Sequence, residues 1–100
     1  HKKMSVKIIE ERDDFEITIL SLEAGGEIFP HYHPNNETEI ILSGQLICNG
    51  NLVESGTINN WEANTIHGYK NESNQKAEIL CLFYGRWTEE KEVLVNQKYF

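Results

Sequence analysis

The residues of this 100-residue chain with the most chemistry to offer are its histidines. There are four, and three of them fall in two short stretches. His31 and His33 lie in GGEIFPHYHPNNETEIILSG (25–44), and His67 lies in WEANTIHGYKN (61–71). His31 and His33 are two apart, so on a strand both rings leave the same face. Pro34-Asn35-Asn36 reads as a corner, after which Glu37 opens the next strand. Two imidazoles and a carboxylate that converge form a donor set for a divalent transition metal. His67 belongs to a separate strand, which a barrel can bring to the same interior point. An isolated histidine on an apolar strand is more often structural, and a His-x-His pair alone is weak evidence. Three imidazoles and a carboxylate buried together without a cation, however, carry a heavy desolvation cost, and a metal removes that conflict.

These side chains need strands to hold them, and the sequence supplies many. Between glycines at 25–26, 44, 50, 56, 68 and 85, the chain runs in short stretches rich in Ile, Leu, Val, Thr and aromatics. They predict strands over 6–9, 15–21, 27–33, 37–42, 45–48, 52–55, 57–60, 65–69 and 77–84. Asn49-Gly50 is the signal of a type I′ hairpin, because both residues tolerate positive φ. The tail over 88–95 is ambiguous between a helix, from Thr88 and the acids that follow it, and a strand through Val93–Val95. Many short strands at close spacing predict an all-β sandwich or barrel.

The two histidine stretches resemble the two motifs of the cupin superfamily. Gly25, His31, His33, Glu37 and Gly44 match every fixed position of the first, G(x)5HxH(x)3E(x)6G. Gly56, His67 and Asn71 match the second, G(x)5PxG(x)2H(x)3N, in which Glu62 replaces the proline and Asn64 the glycine. The resemblance spans about residues 15–84. It implies a cupin-type jelly-roll β-barrel, with a short C-terminal helix as an option. It also implies one divalent transition metal ion (Fe, Mn, Ni, Zn, Cu or Co) held by His31, His33, Glu37 and His67, with open positions for a ligand. The two departures bear on the outer rim rather than on ligation, since Asn64 tolerates the left-handed conformation well. Asn71 is expected to serve a turn or a hydrogen bond behind the ligands.

Strand parity extends the site. If Glu37 points inward, so do Glu39 and Ile41, and Glu39 becomes a candidate general base. From His67, parity turns Tyr69 inward, where a phenol can donate to a bound oxygen. Arg86 is a candidate anchor for a substrate carboxylate or phosphate, and Trp61 a candidate stacking surface at the barrel mouth. Each has a plainer alternative: a rim glutamate, a packed tyrosine, a surface arginine, a core tryptophan.

Composition limits the partners. Sixteen acids stand against nine bases, a net charge of −7. That balance argues against nucleic acid and against an anionic lipid surface. His1-Lys2-Lys3 ahead of Met4 read as a remnant of cloning, with 4–100 as a single cupin domain; without them the net charge is −9. No apolar run is long enough for a membrane span, and the start from Met4 has no signal-peptide character. Cys48 and Cys81 form no CxxC pair and read as reduced, buried thiols of a cytoplasmic protein. Residues 77–84 are apolar on both faces, which predicts an interface on the outer one, and the resemblance makes a homodimer the default. The expected partner is a small-molecule ligand. Two functions fit: a small isomerase, lyase or dioxygenase acting on a polar molecule such as a sugar derivative or a hydroxy or keto acid, or a non-catalytic, metal-loaded binding module.

Overall fold

The structure is a computed structural model and describes residues 1–85 and 92–95. Nine strands make up the described residues: β1 (Lys2–Glu11), β2 (Phe15–Tyr32), β3 (Asn36–Ser43), β4 (Gln45–Cys48), β5 (Asn51–Glu54), β6 (Ile58–Trp61), β7 (His67–Lys70), β8 (Ala77–Tyr84) and β9 (Val93–Leu94). They hydrogen-bond in the order β5-β4-β7-β2-β8-β3-β6, with β1 and β9 also joined to β2, and every pairing is antiparallel. The sheet curls round a common interior, giving the all-β jelly-roll barrel predicted above.

The sequence predicts two strands over 15–21 and 27–33; they form one, β2. Its first half pairs with β8 on one side and β1 on the other, and its second half with β7 and β9. Gly25, at φ 78°, turns the chain in the middle without ending the strand, a conformation that costs a residue with a Cβ far more than glycine. Asn71 closes this bend: its carbonyl accepts from Gly25 N and its N–H donates to Gly26 O, both at 2.9 Å. Its side chain donates to the Leu22 and Gln75 carbonyls and accepts from Ser73, the turn role expected of it. Lys2 and Lys3, set apart in the sequence, belong to β1. Of the tail, Val93–Leu94 is a short strand beside His31 and Tyr32; residues 86–91, which include Arg86 and most of the helical alternative, lie outside the described residues.

Alternation builds the interior. Leu22 and Ile28 of β2, Ile41 of β3, Leu46 of β4, Tyr69 of β7, and Ala77, Ile79, Cys81 and Phe83 of β8 are buried on the inner face. Each fully buried Leu or Ile contributes about 1.5–3 kcal/mol over an exposed one. Asn49 and Gly50 both take positive φ, at 49° and 84°, as the hairpin signal requires. Cys48 and Cys81 are buried and free.

Candidate metal centre and adjoining cavity

The two histidine stretches are fastened together by their loops. Asn36 Oδ1 accepts from Ala63 N at 2.7 Å, and the His33 carbonyl accepts from Asn64 N at 2.8 Å. Asn64 stands at φ 65°, so the asparagine makes the turn in place of glycine. Asn35 Nδ2 donates to the Tyr84 carbonyl, anchoring the corner to the end of β8. Directly opposite, His31 pairs with His67 across β2 and β7.

His31, His33, Glu37 and His67 converge inside the barrel, and all four are nearly inaccessible to solvent. The His31 and His67 rings lie 4.4 Å apart, and the His33 ring 5.7 and 5.3 Å from them. One nitrogen from each histidine falls in a group whose members are all within 4.8 Å of one another. Glu37 Oε1 is 3.1 Å from both His33 Nε2 and His67 Nε2.

Hydrogen bonds fix which nitrogens face the centre. His31 Nδ1 is 2.7 Å from the Phe29 carbonyl, and His67 Nδ1 is 2.9 Å from that of Thr65. A carbonyl oxygen only accepts, so both Nδ1 atoms carry the proton and both Nε2 atoms keep a lone pair. His31 Nε2 lies 3.6 Å from Glu92 Oε1, and His67 Nε2 faces Glu37. His67 Nε2 is buried there without a well-formed hydrogen bond, despite its proximity to Glu37. This is how ligating histidines are oriented in metal sites, with the outer nitrogen held by a carbonyl. The 3.1 Å separations equal the spacing of adjacent donors that each lie about 2.1 Å from one ion. The residues therefore fit a divalent transition metal.

The buried groups also shift one another's protonation. Burial drives the Glu37 carboxyl up, but the hydrogen bond with His33 and the closeness of His67 outweigh it and hold it down at about 2. Burial would lower His67, yet its closeness to Glu37 and to Glu39 raises it. Burial and the neighbouring His67 push His31 down to about 4, which keeps it neutral and able to donate a lone pair.

Glu39 points inward with Glu37, as parity requires, and is 2% exposed. Its Oε1 accepts from Trp61 Nε1 at 2.5 Å and from the Tyr69 hydroxyl at 2.7 Å, while Cys81 Sγ lies 3.5 Å from Oε2. Burial first, and then the Glu37 charge, raise its carboxyl to about 8. Tyr69 is completely buried, and its hydroxyl is taken up between Glu39 and Asn59 Nδ2. Its hydrogen bonds go to Glu39 and Asn59 and to none of the histidines. The Trp61 ring stacks on His67 at 5.1 Å and 10°, so one of its faces supports a proposed ligand.

Beside this cluster lies a cavity of about 130 Å³, bounded by β1, both halves of β2, β3 and β8. Met4, Val6 and Ile8 sit opposite Leu22, Leu20 and Thr18 in the β1–β2 register, and share the inner face with them. Leu20, Ile28 and Phe83 complete an apolar wall; His31, Glu37 and Glu39 form the polar end, joined by Glu16 and Glu92. His1 also lies here, bonded to Glu92 and to Phe29 N. Thr18 is 4% exposed, and its Oγ1 has no hydrogen-bond partner among the described residues. An unpaired buried hydroxyl costs about 1–3 kcal/mol. Thr18, Glu16 and Glu92 were not singled out from the sequence. Parity from Leu22 backward places Glu16 and Thr18 inside, whereas nothing in the ambiguous tail points to Glu92.

The cupin domain model matches residues 18–83, and the chain belongs to that family. Several crystal structures share the fold. An uncharacterized conserved protein with a double-stranded β-helix domain from Klebsiella pneumoniae superposes with a TM-score of 0.81 at 19% identity, covering 94% of this chain and 85% of that one. A polyketide cyclase from Streptomyces resistomycificus gives 0.77 at 16%, covering 90% and 75%. The cupin domain of an XRE family transcriptional regulator from Enterobacter cloacae gives 0.69 at 21%, covering 86% and 100%. Among curated proteins no relative was found.

Proposed function

We propose that this chain is a metal-dependent cupin in which His31, His33, Glu37 and His67 hold one divalent transition metal, and that the site acts on a small organic molecule. The observation that carries this reading is the convergence of three buried histidine nitrogens within 4.8 Å of one another, with His31 and His67 pinned through Nδ1 and Glu37 Oε1 3.1 Å from the Nε2 atoms of His33 and His67. When bound, the metal supplies a Lewis acid or an oxygen-binding centre, the basis of isomerase, lyase or dioxygenase chemistry. The chain's own residues do the rest. Phe29 O and Thr65 O orient two ligands, and Trp61 backs His67. Glu39 lines the cavity beside Glu37 and His31 and is the proposed proton carrier, with Tyr69 and Trp61 hydrogen-bonded to its Oε1. Arg86, outside the described residues, is retained as a proposed anchor for a single acidic group at one end of the substrate.

The enzymatic reading is supported by the cavity that opens onto the ligand cluster, and by an enzyme among the proteins of similar fold. A metal-loaded binding module is the second reading, favoured by the likeness to a regulator's domain. Reduced, buried cysteines fit a cytoplasmic setting. A homodimer is supported by the outer face of the sheet, where Ile19, Leu80, Ile40 and Ile58 form a cross-strand row.

Oxygen uptake and turnover by the iron-, manganese- and zinc-loaded protein, screened with small carbonyl, enediol and phenolic compounds, separate the two functions. Metal-dependent turnover that His67→Ala abolishes establishes the enzyme. Saturable ligand binding without turnover for any metal establishes the binding module.

A further inference from the structure

We infer that the cavity beside the metal cluster selects a ligand with an apolar body the size of a single ring or a short branched chain, and that Thr18 recognises one polar atom on it. The inference names the ligand class for the site proposed above. It rests on that reading in one respect: the histidine–glutamate cluster is taken as the place where the ligand's reactive end lies.

Three independent features lead here. The first is the wall: Met4, Val6, Ile8, Leu20, Ile28 and Phe83 present aliphatic and aromatic surface. A polyol or sugar in this space would set hydroxyls against the apolar wall, with partners only at the glutamate–histidine end, at a cost that an apolar body avoids. The second is size, since about 130 Å³ is close to the roughly 150 Å³ of an apolar cavity that takes up benzene. The third is Thr18, a hydroxyl buried in the wall with no hydrogen-bond partner among the described residues. An orphan donor and acceptor in an otherwise apolar wall is met by one oxygen or nitrogen on the ligand.

Charge narrows the class further. Glu16, Glu37, Glu39 and Glu92 line the cavity, and no lysine or arginine among the described residues does. A phosphorylated or multiply acidic ligand would meet these acidic side chains with no lysine or arginine among the described lining residues to offset them. The expected occupant is uncharged over its body, a phenol-like or short-chain alcohol or carbonyl compound.

Phenol, benzene and xylose serve as probes of the metal-free protein, followed by chemical-shift titration of the Thr18, Leu20 and Ile28 amides. Phenol and benzene are expected to bind saturably and xylose not at all. Thr18→Val should weaken phenol roughly three- to tenfold, the loss of one hydrogen bond, and leave benzene unchanged. Val6→Trp, at a half-exposed position where the larger side chain can be accommodated, should block both aromatic probes. Zinc titration of the same samples separates this inference from the metal reading. Phenol binding without zinc binding upholds the cavity and removes the metal centre. Zinc binding with no phenol binding, xylose binding as tightly as phenol, or a phenol-to-benzene ratio unmoved by Thr18→Val overturns the inference.

Discussion

The Nδ1 atoms of His31 and His67 are each engaged by a main-chain carbonyl, and this decides what the rest of each ring can do. His-x-His spacing and strand parity made the inward direction of the rings legible in sequence, and the same parity correctly turned Glu39, Ile41 and Tyr69 inward. Tautomers were not legible, because they depend on carbonyls whose positions only the fold supplies. Thr18 was hidden for a related reason: whether a strand threonine finds a partner depends on what faces it across the barrel. Two predictions belong at this scale. Trp61→Leu removes both the ring behind His67 and the indole donor to Glu39, and should weaken zinc binding about 10–100-fold by calorimetric titration, as loss of a supporting contact does. Tyr69→Phe removes one hydrogen bond at each of two partners but no direct contact with a ligand. It should lower stability to urea by about 1–2 kcal/mol and leave zinc affinity nearly unchanged.

The elements determine how closely the two histidine stretches approach. β7 lies against the second half of β2 at Gly68, where an added Cβ would stand 2.8 Å from the Ile28 carbonyl and 2.9 Å from Pro30 N. Main chain on both sides cannot yield as a flexible side chain can, so Gly68→Ala should push His67 out of register with His31. The expected loss is about 1–3 kcal/mol of stability by urea unfolding, together with weaker zinc binding. Stability reduced with metal affinity intact would show that β7 can shift without moving His67. The continuity of β2 was the part of the fold least legible in sequence. Gly25-Gly26 reads as a turn, and it is the pairing of Asn71 with Gly25 and Gly26 that keeps the strand running through it. By contrast, β4 and β8 match the predicted strands at both ends, since tight turns or a polar loop bound them.

For the whole molecule, the curled sheet has two faces with different uses. The inner one carries the donors and the cavity, and the outer one carries the row Ile19, Leu80, Ile40 and Ile58, with Ile58 59% exposed. Apolar character on both faces of residues 77–84 was visible in sequence, since Leu80 and Leu82 alternate with the buried Ile79, Cys81 and Phe83. If two copies meet through this face, Ile58→Lys should convert a dimer to a monomer by light scattering, with zinc affinity preserved; a monomeric parent protein would rule the interface out. A metal bound inside the barrel must also stabilise the fold as a whole. Metal at a thousandfold excess over its Kd adds about 4 kcal/mol, so the melting temperature should rise on loading and fall back with a chelator.

The central claim is that this barrel holds one metal ion through His31, His33, Glu37 and His67, and titration calorimetry of the chelator-treated protein with zinc and manganese at neutral pH tests it most directly. The account predicts one ion per chain, with affinity at least about a hundredfold weaker in His31→Ala and in His67→Ala. Zinc and manganese that both fail to bind the folded parent protein, or that bind equally well when His31 and His67 are replaced, would contradict it.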